Sequence, residues 1–141
     1  MIRISRLADY GVVLMCEMSL KKGHTYSAHS LSKKTTMSES AIMKILKLLV
    51  KSKLIDSIRG SKGGYVVNKE PQNISVLDVV NAIDGPVAIT ICSHDSYESC
   101  EFKVTCVAKR GWININNALQ ITLSGFTIAD FITSNEKRNL L

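Results

Sequence analysis

Apolar residues fall at helical spacing along most of this chain, and one short stretch between them reads as a β-hairpin. Leu7, Tyr10, Leu14 and Met18 mark one face of a first helix. Ser5 is its N-cap, and Lys21-Lys22-Gly23 ends it with last-turn cations and a glycine stop. Ser27 caps a second, short helix through residues 28–34 that gives way at Thr35-Thr36-Met37, and Ser38 caps a third. In that third helix Ile42, Ile45, Leu46 and Leu49 share one face while Lys44, Lys47 and Lys51 share another, so one side is expected to pack and the other to be basic. Leu54–Ile58 then reads as a strand, Arg59-Gly60-Ser61-Lys62-Gly63-Gly64 as a tight turn, and Tyr65–Val67 as the returning strand.

Pro71 breaks the pattern, after which Ser75-Val-Leu-Asp78 opens a short helix carrying Val79, Val80 and Ile83 and stopping at Gly85-Pro86. Val87–Ile91 is apolar and leads into a polar stretch with no clean period, which reads as a loop. Beyond it Trp112, Ile115, Leu119, Thr122 and Leu123 keep helical spacing as far as Gly125, and Thr127-Ile-Ala-Asp130 starts a last short helix. Ile113 and Ile121 lie off that stripe, so the long helix is expected to pack on two partners, one of them a second subunit. No internal repeat or low-complexity segment is present.

A helix, a short turn and a second helix with an exposed polar first turn is an arrangement that enters the major groove of DNA. Ser38, Glu39 and Ser40 occupy that first turn. Lys44 and Lys47 on the helix, with Arg59, Ser61 and Lys62 at the hairpin tip, are the candidate phosphate and groove contacts. The glycines let the hairpin turn approach a surface closely, and Arg59 has the chemistry for a narrow minor groove. A solvated lysine face and a plain exposed hairpin are the alternatives. A nucleotide-phosphate loop fits less well, because no G-K-[ST] sequence and no following helix are present.

Composition agrees with a soluble globular protein of 141 residues, 45% hydrophobic and 21% charged, large enough for one respectable core. The apolar run from Gly11 to Leu20 is too short to span a bilayer and contains Glu17, and the start has no small-residue cleavage site, so a cytoplasmic location without a membrane partner is expected. The net charge of +6 is unevenly spread. Residues 1–69 hold thirteen Lys/Arg and four Asp/Glu, a balance of +9; residues 70–141 hold five and eight, a balance of −3. One half is built to meet a polyanion and the other to meet something else, including itself.

The reactive candidates lie in the loop, where Cys92, Cys100 and Cys106 read C-x7-C-x5-C. Three soft thiolates from one short loop suit zinc or an iron-sulfur cluster and leave one coordination position for another group. A disulfide plus a spare thiol is the plain alternative, disfavoured because three cysteines cannot pair off. Cys16, inside the first helix beside Leu14 and Met15, reads as a buried, inert thiol. Thiol catalysis has no support, since there is no C-x-x-C and no histidine at a suggestive spacing, so the chain is not expected to be an enzyme.

Several of these features together resemble the Rrf2 family of bacterial winged-helix regulators. They are Leu7-Ala-Asp-Tyr-Gly11, the helix pair, Arg59-Gly-Ser-Lys-Gly-Gly-Tyr65, Ile74-Ser-Val-Leu-Asp-Val-Val80, the cysteine loop and Thr127-Ile-Ala-Asp130. The resemblance covers essentially the whole chain. Ile83-Asp-Gly-Pro86 and Gly111-Trp112 look closest to the branch that regulates the SUF iron-sulfur assembly genes.

The fold this implies is mainly α with a small β-hairpin wing: a winged helix-turn-helix DNA-binding domain over residues 1–70, then a cluster-binding loop and long C-terminal dimerisation helix over 71–141. The implied partners are double-stranded DNA with a palindromic operator and a second copy of the chain. The implied cofactor is an iron-sulfur cluster, 2Fe-2S first and 4Fe-4S as the alternative, held by Cys92, Cys100 and Cys106. IscR-like members carry a histidine three residues after the third cysteine, where this chain has Lys109, a poor ligand. NsrR-like members recruit the aspartate of the first-helix motif from the other subunit, and Asp9 holds that position. His94, Asp95, Glu98 and Glu101 are local rivals, and the plain reading of Asp9 is an acid favoured by the helix dipole. The implied function is a transcriptional repressor of iron-sulfur assembly genes that senses cluster status, redox state or nitric oxide. A zinc-stabilised DNA-binding or protein-interaction module is the alternative.

Overall fold

Serines start four of the helices. In the computed structural model, which describes residues 2–93, 100–102 and 104–138, with side chains to residue 134 in the last helix, Ser5 Oγ accepts from Ala8 N at 3.0 Å and opens α1 (Arg6–Ser19). Ser27 opens α2 (Ala28–Thr35) through a reciprocal box with Ser30, and Ser38 opens α3 (Glu39–Lys51) by accepting from Ala41 N. Ser75 opens α4 (Val76–Asp84), with Asp78 reaching back to Ser75 N at 2.9 Å. Each cap satisfies a first-turn N–H that the helix leaves unpaired, worth about 1 kcal/mol. Thr36, in the left-handed region at φ 59°, ends α2 and turns the chain into α3.

The wing is shorter than the sequence pattern predicts: β1 (Asp56–Ile58) pairs antiparallel with β2 (Gly64–Val66), Ser57 opposite Tyr65. Leu54 and Ile55, expected in the first strand, instead drop into the core after the chain reverses at Lys53 (φ 60°). Burial claims them before the strand begins. Val67, expected in the second strand, likewise stays in the core just beyond it. Tyr26 pairs with Tyr65 through two 2.8 Å backbone hydrogen bonds and so fastens the wing to the segment before α2. At the tip, a Cβ on Gly63 would lie 2.2 Å from Ile58 O, so only glycine fits there.

One core runs through both halves of the chain. Leu14, Met15 and Met18 of α1 meet Leu31 of α2, Ile42, Ile45, Leu46 and Leu49 of α3, and Val79 and Val80 of α4. Ile74 and Ile128 join the same cluster, because Ile128 N donates to Ile74 O at 2.9 Å and Val76 N donates to Phe126 O at 2.8 Å. These bonds bring the start of α6 (Ile128–Arg138) back beside α4, and α6 packs on α1.

The long helix α5 (Lys109–Gly125) packs on α4 and on a 3-10 turn at Ile91–Ser93. Its inward line differs from the expected stripe. Asn116 is buried with Ile113, Gln120 and Leu123 half-buried around it, whereas Trp112 and Ile115 are 41% and 51% exposed. The apolar stripe is therefore split: Trp112 and Ile115 turn away from the chain's own core, while Leu119 and Leu123 stay half-buried beside the inward-facing amides. Among the described residues no helix is long and apolar enough to cross a membrane.

Candidate nucleic-acid interface and thiol centre

The basic face follows from how α3 packs. Ile42, Ile45, Leu46 and Leu49 are fully buried, which leaves Lys44 and Lys47 exposed on the other side. Ser38, Glu39 and Ser40 are exposed at the helix start. Ser38 Oγ serves as the cap and lies 3.2 Å from Ser40 Oγ, while Glu39 Oε1 lies 2.5 Å from His29 Nδ1 of α2. The helix-turn-helix is thus tied across its turn by a side-chain pair, a link that sequence spacing did not reveal. Arg59, Ser61 and Lys62 are all exposed on the wing tip.

Arg6 is a cation the sequence reading passed over. It shares an open cleft with Ser38 and Met37, between the start of α1 and the α2–α3 turn. Its Nε donates to Tyr10 Oη at 2.9 Å, and its guanidinium sits 5.4 Å from the Tyr10 ring centre. The only sequence signal was a cation at the first position of a helix, where the dipole disfavours it.

The thiols occupy a different region. Cys92 sits in the 3-10 turn that packs on α5, with Thr90 Oγ1 3.2 Å from its Sγ; Cys106 lies three residues ahead of α5. Cys92, Cys100 and Cys106 are free and half-buried. Asp9 is exposed in the first turn of α1. Glu101 is exposed; His94, Asp95 and Glu98 lie outside the described residues. Among the described residues no three His, Cys, Asp or Glu side chains gather into a metal-binding group. By chemistry the donors suit an iron-sulfur centre, since they are unpaired, partly accessible thiols. Cys16, expected to be buried, is half-buried like the other three, but desolvation at its place in α1 pushes its thiol up to about 11.

Residues 4–134 match the Rrf2 family, described as an iron-dependent transcriptional regulator. The chain belongs to the Rrf2 family. It is 30% identical over 130 residues to the HTH-type transcriptional regulator CymR of Bacillus subtilis strain 168, covering 91% of this chain and 88% of that one. Against the regulator IscR of Escherichia coli K12 the identity is 24% over 135 residues, covering 95% and 82%. Among solved structures, that of B. subtilis CymR, named as the global cysteine regulator, superposes with a TM-score of 0.74 at 30% identity over 95% of this chain and 98% of that one. T. potens IscR superposes at 0.73, with 24% identity and coverage of 97% and 90%, a likeness of fold. As an Rrf2 member the protein is a DNA-binding transcriptional regulator with a winged-helix fold, and not an enzyme.

Proposed function

We propose that this Rrf2 regulator reads a palindromic operator as a homodimer and changes its DNA affinity with the state of a thiol centre formed by Cys92, Cys100 and Cys106. The observation that carries the reading is the position of two unpaired thiols at α5. Cys92 lies in the turn packed on that helix, and Cys106 lies just ahead of it. Residues 1–70 supply the DNA contacts and residues 71–141 the thiol centre and the dimer contacts. The exposed Trp112, Ile115 and Ile121 on α5 are the surface a second copy covers.

At the operator, Lys44, Lys47, Arg59 and Lys62 anchor phosphates, Ser61 adds a wing-tip contact, and Ser38, Glu39 and Ser40 meet or position base edges. A two-fold pair of such heads would address half-sites about 34 Å apart. The three cysteines would hold an iron-sulfur cluster, 2Fe-2S before 4Fe-4S, with Asp9 of a second copy as the fourth ligand. When bound, the cluster supplies a redox- and ligand-sensitive group whose loss changes charge and bonding at the loop. The regulated genes in this reading are those for iron-sulfur assembly, and the action is repression.

Such sensing requires a difference in free energy between loaded and unloaded forms on DNA, commonly about 1–3 kcal/mol. Titration of a palindromic promoter duplex with anaerobically purified and metal-stripped protein tests it. The expected result is sequence-specific binding that differs at least about fivefold between the two forms. Equal affinities would remove the thiol centre from the switch, and binding without sequence preference would remove the operator.

A second reading is a clusterless regulator answering to a cysteine-related signal. It draws support from the 30% identity to the B. subtilis cysteine regulator and from thiols that do not gather among the described residues. A colourless protein without iron that still binds a specific operator would favour it.

A further inference from the structure

Asn116 is the buried polar side chain of the described core, 2% exposed in the middle of α5. Burying an amide is costly unless both its ends are satisfied, and a leucine would fill the same volume without that cost. Here both ends are used. Oδ1 accepts from Ile89 N at 3.1 Å, and Nδ2 donates to Val87 O at 3.2 Å. Gln120, one turn along α5, donates its Nε2 to the same Val87 oxygen at 3.0 Å. From the opposite side Val87 N donates to Asn81 Oδ1 of α4 at 3.1 Å.

The two backbone groups that Asn116 engages flank Ala88. One side-chain amide thus does what a single residue of a neighbouring parallel strand does with its own N–H and C=O, accepting from the N–H of Ile89 and donating to the C=O of Val87 on either side of Ala88. A shift of even one residue would break both bonds and orphan a buried amide, so this arrangement specifies register as well as contact. Thr90 and Cys92 follow directly, and Thr90 Oγ1 lies 3.2 Å from Cys92 Sγ and 2.9 Å from Ser93 Oγ.

We infer that Asn116 is a positioning residue for the thiol centre: its buried amide, seconded by Gln120, locks residues 87–89 onto α5 and so fixes Thr90 and Cys92 against that helix. The inference rests on the thiol-sensing reading above for its purpose and on this hydrogen-bond set for its geometry. It gives Cys92 a mechanical route to α5, because the segment cannot move without stripping partners from a residue inside the helix. The hydroxyl of Thr90 is held where it can donate to the sulfur, a bond that tunes thiolate centres.

The test uses the metal-free 141-residue chain in three forms: wild type, Asn116→Leu and Gln120→Leu. Amide hydrogen exchange at Ile89 reads the bond directly, and alkylation by iodoacetamide, mapped by peptide mass and normalised to Cys106, reads the placement of Cys92. In Asn116→Leu both rates should rise about tenfold while the helical circular dichroism holds; Gln120→Leu should give a smaller rise in the same direction. A folded Asn116→Leu with wild-type rates at both positions would overturn the inference. If that variant fails to fold, wild type and Gln120→Leu decide: an Ile89 amide without protection in wild type, or a Cys92 rate unmoved in Gln120→Leu, overturns it equally. Because these readouts need no metal, they fail only with the clamp, whereas iron and sulfide content fails only with the cluster reading.

Discussion

Gly11 of α1 and Ile83 of α4 stand so close that a Cβ on Gly11 would lie 2.1 Å from Ile83 Cδ1 and 3.3 Å from Val79 Cγ1. A glycine inside a helix costs about 0.5–1 kcal/mol relative to alanine, and here it permits the close packing of α1 on α4. Ile83 Cδ1 is the end of a rotatable, half-buried side chain, so alanine can push it aside. Gly11→Ala should therefore stay within about 1 kcal/mol of wild type, its helix gain offsetting the displaced methyl, while Gly11→Val should lose about 2 kcal/mol by overpacking. Urea unfolding midpoints decide this, and a valine variant as stable as wild type would contradict the contact.

Lys47 is exposed opposite the buried face of α3. If it neutralises one DNA phosphate, Lys47→Ala lowers operator affinity and reduces the slope of log affinity against log salt by about one. Weakening without any change of slope would place Lys47 off the backbone.

Cys16 should be the unreactive thiol. With its thiol raised to about 11 by burial, it is protonated at pH 8 and a poor nucleophile. Native protein treated with a thiol reagent at that pH should label at Cys92, Cys100 and Cys106 and spare Cys16, and all four should label after denaturation. Equal labelling of Cys16 in the native state would count against a raised thiol pKa there.

Asp130 caps α6 by accepting from Thr127 N and from Thr127 Oγ1, each at 2.8 Å, and the backbone bond first, then the hydroxyl, hold its carboxyl below the usual aspartate range. A folded-state value below the unfolded one means the contribution is present above about pH 4 and lost as pH falls through the lower folded value. The stability gap between wild type and Asp130→Ala should accordingly be constant near neutrality and shrink below about pH 4. A gap that does not shrink as pH falls below about 4 would show that the carboxylate charge is not what matters.

Much of the helical frame was legible because its signals are local. Ser5, Ser27, Ser38 and Ser75 cap where the pattern places them, and the apolar and lysine faces of α3 separate as their spacing requires. The wing's first strand was over-extended because Leu54 and Ile55 look like strand residues until a tertiary core takes them. The inward side of α5 was the larger miss. Asn116 and Gln120 lie outside the apolar pattern of the helix, and their partner Val87 is 29 and 33 residues away, with nothing in the sequence to connect them. The link between His29 and Glu39 was hidden in the same way, since each residue alone is an ordinary surface group.

The visible spectrum of anaerobically purified protein, taken with iron and sulfide content, addresses the thiol centre most directly. Broad visible absorption with matched iron and sulfide, lost in Cys92→Ser and Cys106→Ser, is the predicted result. A colourless protein without iron or sulfide would contradict a cluster held by Cys92, Cys100 and Cys106, and zinc in its place would make the three thiols a structural metal site.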